Sequence, residues 1–296
     1  MKKLIVITGP TASGKTELSV QIAKKLQAEI VSCDSRQFYK ELSLGTAKPT
    51  IDEMNGVIHH FINSHSVTQE INAGEFERIA LPVINTIFET QDYAILCGGS
   101  GLFIDAITRG FDDMPKIKSE VREALRETFR VEGIASLQIK LQELDPNYYS
   151  TMDSDNPQRL IRALEVCLSS DKKYSELRKG QKDNRPFEVI KFVIDRPREE
   201  LYKRINARVD DMFASGLINE VKSVIQHRNL TSLKTVGYTE VFEYLDGTIT
   251  LEKSIELIKR NSRRYAKRQL TWFRRDPSYH WMARNQTQEI LAQIDS

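Results

Sequence analysis

Residues Gly9 to Thr16 read Gly-Pro-Thr-Ala-Ser-Gly-Lys-Thr and follow directly on the apolar run Leu4-Ile5-Val6-Ile7. A G-x-x-x-x-G-K-T loop in that place predicts a strand, a tight phosphate cradle and a helix, and it restricts the chain to an α/β fold. The cradle would comprise Gly9, Pro10, Thr11, Ala12, Ser13, Gly14, Lys15 and Thr16. Its backbone N–H groups converge on a phosphate, Lys15 adds a point charge, and the Thr16 hydroxyl can ligate Mg²⁺. Leu18, Ile22 and Leu26 then form one helical stripe, so the loop sits at a helix N-terminus, where the dipole favours an anion. A structural glycine turn would explain Gly9 and Gly14 but not the Lys-Thr pair.

Two later strand ends narrow the chemistry. Ile30 to Cys33 is a short apolar run ending in Asp34-Ser35-Arg36-Gln37. In an open α/β sheet ligands lie outside the carboxyl ends of the strands, which would bring Asp34 to the rim that carries the loop. A carboxylate there can hold a metal, act as a base, or simply cap a helix. The run Tyr93 to Cys97 ends in Gly98-Gly99-Ser100-Gly101, not in the aspartate with which many NTPases organise Mg²⁺. The glycines leave room for a ligand to approach the backbone, and Ser100 offers it a hydroxyl. A motor ATPase is disfavoured; a kinase, or a transferase with another phosphorylated donor, fits better.

The strand and helix patterns alternate from Leu4 to about Gly110: β over 4–8, α over 15–26, β over 29–33, α over 73–90, β over 93–97, and a helix from Leu102. This predicts a parallel sheet with helices on both faces. From 111 to 186 the pattern is helical and charged, with Asn156-Pro157 starting a helix over 157–168 and a polar loop over 172–186. We read 1–110 with 187–296 as the core and 111–186 as a helical insertion. A strand returns over 187–194, and Asp195 is expected to cap a helix from Pro197 to Gly216. Arg204 and Arg208 share one face of that helix and suit an anion clamp, although pairing with Glu200 or Asp211 is an alternative.

Charge is unevenly distributed. The segment Leu257 to Arg275 holds eight of the 43 basic residues and no acid, leaving 35 basic against 41 acidic residues elsewhere. Such a segment suggests a polyanion-facing surface, with Tyr265, Trp272 and Phe273 either stacking on bases or packing beneath it. The three isolated cysteines indicate neither a disulfide framework nor zinc; Cys33 and Cys97 are expected to pack as small apolar residues. The N-terminus leads straight into the strand, so no signal peptide is expected, and no stretch approaches the roughly 20 apolar residues of a membrane span. A cytoplasmic monomer is expected.

The segments GPTASGKT at 9–16, DSRQFY at 34–39, GTAKP at 45–49, HHFI at 59–62, GGSGLF at 98–103, NPQRLIRALEV at 156–166, VGYTE at 236–240 and YAKRQLTWFRR at 265–275 cover nearly the whole chain. In this order they resemble the tRNA dimethylallyltransferase (isopentenyltransferase) family of the bacterial type. The resemblance implies a P-loop NTPase-like core whose cradle takes the pyrophosphate of dimethylallyl diphosphate, not ATP. The acceptor would be the N6 amine of the adenosine just 3′ of a tRNA anticodon. It further implies that Asp34 is the general base, while Lys15, Thr16 with Mg²⁺, and Arg208 stabilise the leaving pyrophosphate. Ser100 stands where the family usually carries threonine, at a tRNA contact, and Phe103 replaces a usual tyrosine. The anticodon stem-loop would meet Asp34, Ser35, Arg36 and Gln37, then Gln158, Arg159, Leu160, Ile161 and Arg162, with Arg122 of the insertion. Arg263, Arg264 and Arg268 would add phosphate contacts. Adjacent His59 and His60 face opposite ways on a strand, so a shared metal is not expected. The chain ends soon after WFRR with no Cys/His pairs, so the zinc-finger extension of eukaryotic relatives is not expected.

Two rivals remain at this level. A P-loop kinase of a nucleoside or small metabolite would use the insertion as a lid but leaves the basic segment unexplained. An RNA-binding protein with a regulatory nucleotide site would leave Asp34 without a chemical role.

Overall fold

The computed structural model describes residues 1–112, 114–178, 185–283 and 286–295. Its sheet is built from β1 (Lys3–Thr8), β2 (Glu29–Ser32), β3 (His59–His60), β4 (Tyr93–Gly98), β5 (Glu188–Asp195) and β6 (Tyr279–Ala283), in the order β3-β2-β4-β1-β5-β6. Every pairing is parallel. Strands covered on both faces read as continuous apolar runs, and β1, with Leu4 to Ile7 all at 0% exposure, is the clearest case. Its side chains alternate across the sheet. Leu4 and Val6 join one core with Phe76, Ile84 and Ile107 from helices Ala73–Thr90 and Gly101–Arg109. Ile5 and Ile7 join the opposite core with Leu18 and Ile22 of helix Lys15–Leu26 and Ile290 and Ile294 of helix Thr287–Asp295. Removing either isoleucine side chain would cost about 2–5 kcal/mol.

Register decides where the functional residues land. Thr8 lies opposite Gly98 on β4 and Val193 on β5, and Ser32 lies opposite Cys97. Three neighbouring strands therefore end level, releasing Gly9, Cys33-Asp34 and Gly99-Ser100 at one rim.

The chain divides into two compact units, Met1–Thr108 with Arg185–Ser296, and Arg109–Asn184. The second is a helical bundle in which Leu125, Leu137, Leu141, Leu160 and Leu164 form a separate core. Asn156 caps helix Pro157–Ser170 by accepting from the Arg159 N–H, as its sequence foretold. The polar 172–186 segment contains a helical turn, Tyr174–Leu177, where only loop was expected; its residues 179–184 lie outside those described.

Other expectations need correction. β2 stops at Ser32, one residue before Cys33. Asp195 does not cap the next helix: it ends β5 and accepts from the adjacent Arg196 N–H, while Pro197 precedes helix Arg198–Ala214 without a side-chain cap. The edge strand β6 was not read from sequence. Among the described residues no helix is long and apolar enough to cross a membrane.

Candidate active site

The loop between β1 and helix Lys15–Leu26 is held by the helices around it. Gly9 has no room for a side chain, since a Cβ would stand 2.6 Å from the Ile194 carbonyl oxygen of β5. The Ser13 N–H donates to the Pro10 carbonyl at 3.2 Å. Arg196 Nε donates to the Ser13 carbonyl at 2.6 Å and Arg204 Nε to that of Ala12 at 2.8 Å. Arg208 donates to Thr11 Oγ1 at 3.2 Å. Arg204 and Arg208, four residues apart, share one face of the helix as their spacing suggested, but Arg204 holds the loop backbone itself and Arg208 the Thr11 hydroxyl, and neither pairs with Glu200, which binds Arg196.

Lys15 Nζ donates to the Pro10 carbonyl at 3.0 Å. Burial lowers its pKa, opposed by the nearby Cys97 and Asp34 and assisted by Arg208. The Arg208 pKa is lowered as well, by burial first and then by the like charge of Arg204. Two desolvated cations beside a helix start are costly without an anion to meet them, which suits a pyrophosphate. Ser13 Oγ is fully buried and has no hydrogen-bond partner.

Asp34 emerges from β2 beside this loop. Its Oδ1 accepts the Arg36 N–H at 3.0 Å, which fixes the carboxylate in a local turn. The Ser35 N–H donates to Ser100 Oγ at 3.1 Å, so the β2 and β4 ends are tied together next to the acid. Asp34, Lys15, Thr11, Arg208, Ser35 and Arg36 line one cavity of about 900 Å³, with Tyr265, Arg268 and Gln269 from helix Leu251–Phe273 on another wall. Thr16 and Ser100 are not among the residues that line it. Tyr265 is pushed up to about 12, by burial first and then by the Asp34 charge, so its phenol stays protonated.

The glycine cluster after β4 has a different reason from the one expected. A Cβ on Gly98 would stand 2.6 Å from Cys33 Sγ, one on Gly99 2.3 Å from Gln269 Nε2, and one on Gly101 2.3 Å from the Trp272 ring. The protein's own elements, not a ligand, occupy the space. Phe103 lies in an aromatic cluster, its ring 5.8 Å from Phe38 and 5.2 Å from Phe76, where a tyrosine hydroxyl would need a buried partner. Cys33 and Cys97 pack as small apolar residues on opposite faces of the sheet, and burial pushes both thiols up.

Several RNA-facing candidates are occupied within the protein. The Arg36 guanidinium donates to the Ser232 carbonyl at 3.1 Å, and the Gln37 amide donates to the Thr46 and Ala47 carbonyls at 3.3 and 3.2 Å. They shape the wall of the site. Arg263 donates to Asn206 Oδ1 at 2.7 Å and lies over the Tyr202 ring, whereas Arg264 and Arg268 are exposed. Phe273 is fully buried and Trp272 packs on the core, so of the three aromatics only Tyr265 reaches the cavity. Within the insertion, Gln158 and Arg159 are exposed, Ile161 is half-buried and Leu160 is at 0% exposure; the Leu160 side chain packs and reaches no ligand. Arg122 Nε donates to Glu165 at 2.8 Å, and Arg162 lies 3.5 Å from the same carboxylate. His59 and His60 take separate partners, the Val57 carbonyl and Glu29.

Sequence reasoning gave no role to Gln269 or Glu220, and it left Tyr265 open between stacking and packing; the structure sets Tyr265 on the cavity wall. Glu220 accepts the N–H groups of Ser43, Leu44 and Gly45 at 2.9, 2.7 and 3.0 Å and so shapes the GTAKP loop. No local pattern around Glu220 signals a contact more than 170 positions away.

A model of the IPP transferase family matches residues 37–276. The chain belongs to this family. A tRNA dimethylallyltransferase of Cytophaga hutchinsonii is 45% identical over 295 residues, spanning 100% of this chain and 97% of the relative. One from Flavobacterium johnsoniae is 46% identical, spanning 95% and 93%. Among solved structures, the full-length tRNA isopentenylpyrophosphate transferase of Bacillus halodurans superposes with a TM-score of 0.75 at 36% identity, covering 100% of this chain and 96% of that one. A eukaryotic dimethylallyltransferase acting on tRNA gives a TM-score of 0.83 at 27% identity over 96% of this chain and 74% of the other. The family match begins after the cradle and Asp34, and the full-length relatives extend across both. The chain sets its loop on a parallel sheet; a motor ATPase or kinase reading is not favoured.

Proposed function

We propose that the protein transfers the dimethylallyl group of dimethylallyl diphosphate to N6 of the adenosine 3′-adjacent to the anticodon of a tRNA, releasing diphosphate. The observation that carries this reading is the shared cavity: the Asp34 carboxylate and the cationic cradle of Lys15 and Arg208 line the same space. A bond forms between N6 and the allylic carbon as that carbon's bond to the diphosphate oxygen breaks. An adenine amine is a weak nucleophile because its lone pair is delocalised, so removal of its proton during attack assists the step, and Asp34 is the base. The negative charge that grows on the leaving oxygen is met by Lys15, Arg208 and the N–H groups at the helix start. Tyr265, neutral above the site, adds a hydroxyl without a competing charge.

The residues present fit Mg²⁺. Among the described residues no cluster of three metal-ligating side chains exists, but Mg²⁺ keeps much of its water shell and is held by one or two protein oxygens plus substrate phosphates. The Thr16 hydroxyl would hold it, and bound there it would neutralise charge on the diphosphate. The target base must leave its stack to reach the cavity. Gln158, Arg159 and Arg162 of the insertion would contact the anticodon arm, and Arg264 and Arg268 of the core would contact RNA phosphates. We place the activity in the cytoplasm and in a single chain.

Incubation with unmodified tRNA, dimethylallyl diphosphate and Mg²⁺, followed by digestion and mass spectrometry, should yield prenylated adenosine. Phosphorylated nucleoside formed from ATP instead would favour the kinase reading.

A further inference from the structure

The cradle and the β4 end are bridged by one side chain of the basic helix. Gln269 is 6% exposed, and both ends of its amide are used. Oε1 accepts the Thr11 N–H at 2.9 Å, and Nε2 donates to the Gly99 carbonyl at 2.8 Å. The Thr11 N–H can only donate and the Gly99 carbonyl can only accept, so the amide has one orientation. Thr11 is also the residue whose hydroxyl receives Arg208, and Gly99 precedes the Ser100 that binds the Ser35 N–H beside Asp34. One amide therefore connects the cation-bearing side of the cavity to the side that carries the carboxylate. It also occupies the Thr11 N–H, leaving the first-turn N–H groups of Lys15 and Thr16 as donors toward a phosphate.

We propose that Gln269 is a positioning residue that sets the separation between the bound diphosphate and Asp34; the idea rests on the function proposed above. Both ends of its amide are spent on Thr11 and Gly99. It acts by holding the cradle at a fixed distance from the Gly99-Ser100 turn, and misplacement by about 1 Å can cost on the order of 10²-fold in rate. No other uncharged side chain of that length offers a donor and an acceptor on one planar group. Glutamate keeps the acceptor, but its second oxygen would face the Gly99 carbonyl unless it carried a proton.

The test compares Gln269→Glu with Gln269→Met, which keeps length and packing but makes neither bond. Near pH 8 both should lower kcat/KM for dimethylallyl diphosphate by about 10–100-fold, with KM for tRNA within about threefold of the parent. As pH falls from about 8 to about 6, Gln269→Glu should recover at least about fivefold relative to Gln269→Met, because burial beside a carbonyl raises a carboxyl pKa and the protonated group regains its donor. Binding of inorganic pyrophosphate with Mg²⁺, followed by calorimetry, should weaken in both variants and recover with the same pH dependence in the glutamate one. If Gln269→Met does not fold, the pH profile of Gln269→Glu against the parent decides the matter alone. Equal losses at every pH, a loss confined to tRNA KM, wild-type kinetics, or failure of both variants to fold would each overturn the positioning role. A parent protein that makes no prenylated adenosine yet loses pyrophosphate binding in these variants would overturn the proposed reaction and leave the Gln269 strut standing.

Discussion

Two cationic regions of this molecule are built in opposite ways. Around the cradle, Lys15, Arg196, Arg204 and Arg208 are sparse in sequence, partly or wholly desolvated, and hydrogen-bonded to loop carbonyls or to Thr11. Along helix Leu251–Phe273 the cations are dense in sequence, and only some are available. Lys259 lies 2.6 Å from Asp210 and Arg263 is committed to Asn206, while Arg264, Lys267 and Arg268 are exposed. A cation that must stabilise a specific oxygen needs a fixed position and little competing water, so it is held by the backbone. A cation that meets a nucleic-acid backbone needs only to be near and solvated, and its contribution falls with salt.

The contrast is tested first at the Asp34 carboxylate, in the cavity that Lys15, Arg208 and Arg268 also line. Asp34→Asn should reduce turnover by about 10²–10⁴-fold, the usual share of general base catalysis, with both substrates still bound. Asparagine retains the oxygen that accepts the Arg36 N–H, so the local turn should persist. Single-turnover yields of prenylated adenosine, with filter binding of tRNA, check this. Near-normal turnover would remove Asp34 from the chemistry.

Next comes the cradle itself. Arg208→Ala should lower kcat/KM for dimethylallyl diphosphate by about 10²-fold, in the range for loss of one preorganised charge donor, and leave tRNA affinity unchanged. Steady-state kinetics with each substrate varied separately tests it. A change in tRNA affinity alone would place Arg208 with the second group of cations.

The cradle was the more legible of the two regions. Its strand, loop and helix follow one another within 24 residues, and local rules of apolar run, glycine turn and helical stripe suffice to read them. The predicted helix over 15–26 and that over 73–90 match Lys15–Leu26 and Ala73–Thr90. The level ends of β1, β2 and β4 could be argued from the alternating pattern because parallel sheets put loop ends on one side. The basic helix was legible as charge but not as contacts. Nothing in its spacing says that Gln269 reaches Thr11, 258 positions away, or that Phe273 is core. β6 was missed because Tyr-His-Trp-Met-Ala has weak alternation and pairs only at the sheet edge, where β5 supplies its partner.

The second region responds to salt. Neutralising Arg264 and Arg268 together should reduce the slope of log tRNA affinity against log salt by about 1.4–1.8, since each phosphate contact contributes roughly 0.7–0.9. Arg263→Ala should change the slope less and lower thermal stability more, because its guanidinium binds Asn206 and covers Tyr202. Titrations at several salt concentrations, with melting curves alongside, separate the two. Equal slope changes from Arg263 and Arg264 would mean that internal pairing does not remove a cation from the RNA-facing set.

The smallest effect lies where the basic segment ends. Asp276, just beyond Arg275, accepts from Lys191 Nζ of β5 at 3.0 Å, and both side chains are largely buried. Burial works against the Asp276 charge, but hydrogen bonds from Ser278 and Lys191 outweigh it and hold the carboxyl down at about 2. An unfolded aspartate titrates near 3.9, so the folded form binds protons less readily than the unfolded one. The resulting stability is fully present above about pH 4 and is lost as pH falls through about 2. Asp276→Asn should therefore lower Tm by several degrees near neutral pH, while the gap to the parent narrows between about pH 4 and pH 2. The salt slope for tRNA should stay unchanged, because Lys191 is enclosed and not part of the exposed charge. Thermal melts across that pH range check the first expectation and the salt titration the second. A constant Tm gap down to pH 2 would show that asparagine disturbs packing and not charge, and an altered slope would show that the helix end is positioned for RNA by this pair.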